Sequence, residues 1–125
     1  MKYALIFLFF SFSPLLDNKY KAKVLSVYDG DTITVEVSLG LDVVKKESVR
    51  LWGINAPELK GKDKASGIVS RDSLRSWILG KEITIQTTND KREKYGRLLG
   101  VIILGSENIN QKMIELGLAK EYMTK

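Results

Sequence analysis

Strict alternation of polar and apolar positions begins at Lys19. Tyr20, Ala22, Val24 and Ser26 fall on one side of an extended segment and Lys19, Lys21 and Lys23 on the other, which predicts a half-buried strand over 20–28. Asp29-Gly30-Asp31 reads as a turn, Gly accepting positive φ and Asp closing the turn through its side chain. Thr32 to Val37 is a second strand, rich in β-branched residues, with Ile33, Val35 and Val37 facing inward. Leu39-Gly40 turns the chain into a third strand over 43–52. Residues 53–64 read as loop, broken by Pro57 and Gly61. A helix is predicted over 65–79 with Gly80 as its left-handed cap; Leu74, Trp77 and Ile78 share a face with Gly67 and Ser70, small enough to pack closely on a sheet. Strands follow over 82–87 and 97–104, separated by the charged loop 89–96. A second helix over 109–116 places Ile109, Met113 and Leu116 at i, i+4 and i+7 and stops at Gly117.

Three strands, a helix, two strands and a helix is the order of an OB-type barrel. The fold class is therefore mainly β with helices: a five-stranded barrel with a helix between strands 3 and 4 and a second helix after strand 5. No repeat, low-complexity tract or Pro/Gly-rich linker interrupts residues 19–125, so they form one domain. Residues 1–18 differ. A single Lys2 precedes the apolar run Tyr3 to Phe10, matching the start of a secretory signal, and the run is too short to span a bilayer, which takes roughly 20 residues. Ser11-Phe12-Ser13 has the small-residue spacing of a cleavage site, but Pro14 follows it. Export to the periplasm, cell envelope or medium is the expectation, with an uncleaved, membrane-associated leader as the alternative and a buried first strand as the third reading.

Composition narrows the chemistry. The 125 residues contain no Cys and no His, which excludes disulfides, thiolate catalysis, Cys-ligated zinc and an imidazole base. Catalysis here has to run on carboxylates, Arg, Lys, Tyr, hydroxyls and oxygen-bound cations. Twenty Lys and Arg against 15 Asp and Glu give a net charge of +5, which favours an anionic partner without requiring one.

Three segments carry the candidate chemistry. Asp29-Gly30-Asp31-Thr32 is either an ordinary hairpin turn or a pair of carboxylates presented to a hard cation. In Arg50-Leu51-Trp52-Gly53-Ile54-Asn55-Ala56-Pro57-Glu58, alternation puts Arg50 and Trp52 on one face of a strand. An Arg there needs an anion, either a phosphate or a structural partner such as Glu58. Asn55 and Glu58 leave the strand end as oxygen donors, and Pro57 holds Ala56 extended so that its carbonyl is aimed. In the third segment Lys91 to Glu93 reads as a solvated charge run. Lys94-Tyr95-Gly96-Arg97 offers an aromatic to stack on a base, a Gly for close approach and a guanidinium to fork a phosphate.

Taken together and in this order, these segments resemble the staphylococcal nuclease (thermonuclease) family. Ile109-Asn110 and Gly117-Leu118-Ala119-Lys120 are similar to its second-helix segment, and the likeness runs over about residues 20–122. The resemblance implies an OB-fold, Ca²⁺-dependent phosphodiesterase cutting DNA and RNA, exported, monomeric, acting on single-stranded or frayed substrate and needing no stable protein partner. Carried onto this sequence, it makes Asp31, Asn55 and the Ala56 carbonyl the Ca²⁺ ligands and Asp29 a support of the metal pocket. Glu58 becomes the general base or water holder, Arg50 and Arg97 the grip on the scissile phosphate, and Lys94 and Tyr95 the nucleotide contacts. Such chemistry needs neither His nor Cys.

Two departures stand out. Asn55 replaces the Asp usual in the family, which predicts weaker Ca²⁺ binding. The chain also ends soon after the second helix, where larger members continue, and Tyr122 is the only counterpart to their later tyrosines. An OB-fold nucleic-acid-binding module with weakened catalysis is therefore the alternative. A membrane-associated interaction protein is the third hypothesis.

Overall fold

The computed structural model describes residues 17–122. Strand β1 (Asp17–Asp29) runs into β2 (Thr32–Gly40), which turns into β3 (Val43–Leu51). A two-residue strand β4 (Ile54–Asn55) and a 3-10 turn at Gly61–Asp63 follow, then helix α1 (Lys64–Ile78). Strands β5 (Glu82–Thr88) and β6 (Leu98–Leu104), the short β7 (Glu107–Asn108), helix α2 (Ile109–Glu115) and the short β8 (Lys120–Glu121) complete the order. β1 begins at Asp17, two residues inside the stretch 1–18 expected to be a leader; residues 1–16 of that expectation lie outside the described residues. No helix among the described residues is long and apolar enough to cross a membrane.

The barrel closes through one parallel contact. β1 pairs antiparallel with β2 and with β5, β2 with β3 and β5 with β6, while β3 and β6 join in parallel over Val49↔Leu98, Arg50↔Leu99 and Leu51↔Gly100. Strands β1, β2, β3, β5 and β6 are the five of the OB barrel. Their inward residues, among them Val24, Ile33, Val35, Val49, Leu51, Ile85 and Ile102, form a continuous core with Leu74 and Ile78 of α1 and Met113 of α2.

Several local expectations change. The β1 register shifts between Val24 and Ser26, so the alternation slips: Val27 is buried where Ser26 was expected to be, and Ser26 is exposed. Gly30 does not hold positive φ. It is small because a Cβ there would stand 2.6 Å from the Ala56 Cβ and 3.0 Å from that of Ser70. Gly67 likewise admits close packing, against the loop rather than a sheet: a Cβ would lie 2.3 Å from the Glu58 carbonyl oxygen. Leu116 is 58% exposed, because α2 stops at Glu115 and its apolar face ends with Met113. The 53–64 loop contains β4, which pairs with β8 through Ile54↔Glu121 and Asn55↔Lys120.

Candidate active site

The site is built where the β1–β2 turn, the end of β3 and the start of β6 meet. Asp29 Oδ1 accepts the Asp31 N–H at 3.0 Å, closing the turn and directing Asp31 inward, where it is only 7% exposed. Asp31 Oδ2 accepts the Ala56 N–H at 2.8 Å and lies 3.2 Å from Arg50 Nη1. Its Oδ1 accepts the Thr32 hydroxyl at 3.2 Å, and Thr32 Oγ1 in turn accepts Arg97 Nη1 at 3.0 Å. Arg50 Nη2 donates to Asn55 Oδ1 at 3.3 Å. Register explains the meeting: Thr32 pairs with Arg50 across β2–β3, and Arg50 pairs with Leu99 across the parallel closure, which sets Arg97 alongside. One polar path thus runs from Arg97 through Thr32 and Asp31 to Arg50 and Asn55.

These residues back an open cleft of about 540 Å³ walled by Arg50, Asn55, Lys94, Tyr95, Arg97 and Tyr122, among others. Tyr95 projects into solvent with Lys94 Nζ 5.1 Å and Arg97 Cζ 5.8 Å from its ring centre. Tyr122 faces Arg50 from the other side, its ring centre 6.0 Å from Cζ. The result is two guanidiniums, each beside an aromatic ring, on the walls of one groove.

Glu58 is the candidate least tied in. It is exposed, and among the described residues nothing pairs with its carboxylate. The alternative in which Arg50 pairs with Glu58 is overturned: Arg50 takes Asp31 and Asn55, nearer along the closed turn. The Glu58 backbone is nonetheless held, since Ala56 is anchored on Asp31 and the Glu58 carbonyl packs against Gly67.

The charged run before Tyr95 is not simply solvated. Glu93 takes Arg97 through Nε and Nη2, both at 3.1 Å, and accepts the Tyr95 and Arg97 N–H groups at 2.9 and 3.0 Å. Hydrogen bonds from Arg97 hold its carboxyl at about 2. Arg92 forks Glu47 at 2.9 and 2.8 Å, which likewise lowers that carboxyl to about 2. Glu93 orients Arg97, Thr32 bridges Arg97 to Asp31, and Asn110 donates to the Trp52 and Gly100 carbonyls while accepting the Ile102 N–H, binding the β3 exit to β6. The only sequence sign for Glu93 is its place four residues before Arg97. That spacing is informative in a helix and silent in a loop.

The donor set suits a hard, oxygen-seeking cation. Asp29 is pushed up to about 6, chiefly by burial and next by the charge of Asp31 close by, so two carboxylates crowd one small volume. The Asn55 amide oxygen approaches the same guanidinium as Asp31, and the Ala56 peptide sits against Asp31. A dication held by Asp31, Asn55 and the Ala56 carbonyl would relieve that crowding, and none of these donors is a nitrogen or sulfur that would select a softer metal. Among the described residues no three His, Cys, Asp or Glu gather, so such a site has few charged ligands.

Residues 48–125 match the family model described as staphylococcal nuclease homologue. Over 122 residues the chain is 36% identical to a protein named "Uncharacterized endonuclease" from Escherichia coli O157:H7, covering 97% of this chain and 73% of that one. It is 30% identical over 119 residues to an "Uncharacterized endonuclease" of Haemophilus influenzae, covering 95% of this chain and 62% of the relative. A "Thermonuclease" of Staphylococcus hyicus is 27% identical over 106 residues, 82% of this chain and 60% of its own length.

Proposed function

The chain belongs to the staphylococcal nuclease family, and we propose that it is a Ca²⁺-dependent nuclease hydrolysing phosphodiester bonds of DNA and RNA. The observation that carries this reading is the continuous polar path from Arg97 through Thr32 and Asp31 to Arg50 at the wall of one open groove. Substrate is single-stranded or frayed, because exposed Tyr95 can stack only on an unpaired base. The enzyme acts as a monomer. Its export is proposed on residues 1–18 alone.

Hydrolysis adds a water oxygen to phosphorus and breaks the phosphorus–oxygen bond to one sugar, while negative charge collects on the phosphoryl oxygens. Arg50 and Arg97 fork those oxygens, Arg50 turning from Asp31 and Asn55 toward the phosphate. Glu58, exposed and unpaired, accepts the proton of the attacking water. Asp31, Asn55 and the Ala56 carbonyl would hold Ca²⁺, with Asp29 behind them, and a bound ion would supply positive charge and acidify water there. Lys94 and Tyr95 hold the nucleotide.

Cleavage of a labelled oligonucleotide by the full chain, with Ca²⁺ and with chelator, is the test. Activity is expected only with Ca²⁺. Arg97→Ala should lose at least about 100- to 1000-fold in rate, the usual cost of one lost oxyanion donor. Asn55→Asp should lower the Ca²⁺ concentration for half-activity. Full activity in chelator overturns the mechanism. Salt-sensitive binding without cleavage at any Ca²⁺ concentration selects the binding module instead, a reading that Asn55 favours.

A further inference from the structure

The parallel seam that closes the barrel is short. β3 and β6 pair only over Val49↔Leu98, Arg50↔Leu99 and Leu51↔Gly100. Continued by the same register, Glu47 of β3 would face Gly96, but the ladder stops before it reaches them. The Arg92 guanidinium bridges that pair instead. Its Nη1 and Nη2 fork the Glu47 carboxylate at 2.9 and 2.8 Å, and Nη1 also donates to the Gly96 carbonyl at 2.9 Å. Lys45 Nζ reaches the same carboxylate at 2.8 Å. The Glu47 side chain is only 12% exposed, and a forked guanidinium loses less freedom per hydrogen bond than a lysine would, which sets this pair apart from an ordinary surface ion pair.

The segment that Arg92 touches carries Lys94 and Tyr95, both exposed. Its own bonds are local. The Glu93 N–H donates to the Arg97 carbonyl, the Gly96 N–H to the Glu93 carbonyl and the Leu99 N–H to the Lys91 carbonyl, each at 2.9 Å, while the Tyr95 N–H goes to the Glu93 carboxylate. Asp90 ties the start of the loop to Asn18 and Tyr20 of β1, and Arg97 ties its end to Thr32 of β2. Between those two anchors, among the described residues, only Arg92 makes hydrogen bonds that leave the loop and its flanking strands.

We propose that Glu47 and Arg92 are positioning residues for nucleotide binding: Glu47 holds Arg92, and Arg92 holds the Gly96 carbonyl, so that Lys94 and Tyr95 meet the substrate already ordered. The inference rests on the nuclease reading of the groove. A loop that is ordered beforehand spares the substrate the entropy cost of ordering it. Arg97 is oriented separately, by Glu93 and Thr32, so losing the Glu47–Arg92 contact weakens binding and leaves the chemical step in place. Arg92 also walls the groove, and a direct grip on phosphate by Arg92 would make the opposite prediction, because Glu47 would then be withholding it from the substrate.

The full chain, Glu47→Gln and Arg92→Lys are compared by amide hydrogen exchange, by affinity for an oligothymidylate in chelator across a range of salt, and by steady-state cleavage with Ca²⁺. Glu47→Gln leaves Arg92 a single neutral acceptor. Arg92→Lys keeps the charge but cannot span the carboxylate and the Gly96 carbonyl together. In both variants the Tyr95 and Gly96 amides should exchange faster while those of the barrel core do not. Affinity should fall roughly tenfold, the ordering cost of two long side chains, with the salt slope unchanged. KM should rise by a similar factor and kcat should hardly move. Tighter binding by Glu47→Gln, with a slope steeper by about 0.7, overturns the proposal, because a freed Arg92 would then be gripping a phosphate. Unchanged exchange and affinity in both variants overturn it too, reducing the pair to a surface ion pair. If none of the three proteins cleaves, the nuclease reading fails, while exchange and affinity still decide the role of Glu47 and Arg92.

Discussion

Two kinds of carboxylate occur in and beside the site, and they respond to pH in opposite directions. Glu93 and Glu47 are held at about 2 by Arg97 and Arg92. Their contribution to stability is complete above their ordinary value of 4.5 and is lost as pH falls toward 2. Both side chains are partly solvated, so each is worth on the order of 1 kcal/mol. Asp29, raised from 3.8 to about 6, works the other way: its contribution is intact below pH 3.8 and is lost as pH rises through 6, where its ionised form sits beside Asp31. In chelator, Asp29→Asn should therefore raise the melting temperature at pH 8, by the equivalent of about 1–2 kcal/mol after solvent screening, and leave it unchanged below pH 4. Thermal melts of both proteins from pH 3 to 8 check this. Equal melting temperatures at pH 8 would show that neither burial nor the charge of Asp31 penalises ionised Asp29.

Helix α1 shapes the site without contributing a reacting group. Its N-terminal half is small on the inner face, and Gly67 lets the Pro57–Glu58 backbone lie directly on the helix. A methyl at Gly67 would meet the Glu58 carbonyl at 2.3 Å and the Pro57 carbonyl oxygen at 3.0 Å, so the loop must retreat. Gly67→Ala should cost about 1–3 kcal/mol of stability by overpacking, despite the better helix propensity of Ala. It should also lower kcat more than it raises KM, because Glu58 leaves the attacking water while both arginines stay in place. Val69→Ala on the same helix should change neither, as measured by melts and steady-state kinetics. The elements themselves were legible: alternation, β-branched runs and turn residues marked the five barrel strands, and Gly80 and Gly117 marked the helix ends. What alternation could not carry was any contact between distant segments. The Leu25 bulge, the β4–β8 pairing of residues some 66 apart in sequence, and the parallel closure of β3 on β6 each depend on a partner the local pattern does not contain. The site followed the same division. Asp31, Arg50 and Arg97 were visible as ordered motifs, whereas Glu93 was hidden in a charge run and Gly30 was assigned to turn geometry although packing requires it.

The net charge of +5 acts through where its cations sit rather than uniformly. Arg50, Arg92, Lys94 and Arg97 wall the groove, Arg92 forked on Glu47, while Lys45 and Lys46 lie on the β2–β3 hairpin and Lys19 and Lys21 on β1 beside β5. If Arg50, Lys94 and Arg97 meet the polymer while Arg92 keeps Glu47, about three phosphates are neutralised. The slope of log affinity for a single strand against log salt is then near −2, at roughly 0.7 per phosphate. Affinity measured in chelator, where cleavage does not consume the ligand, should fall about 16-fold between 50 and 200 mM salt. Lys94→Ala should make the slope shallower by about 0.7, while Lys46→Ala should leave it unchanged. A slope that steepens well beyond −2, or that responds to Lys46, would mean that nucleic acid wraps the hairpin end as well.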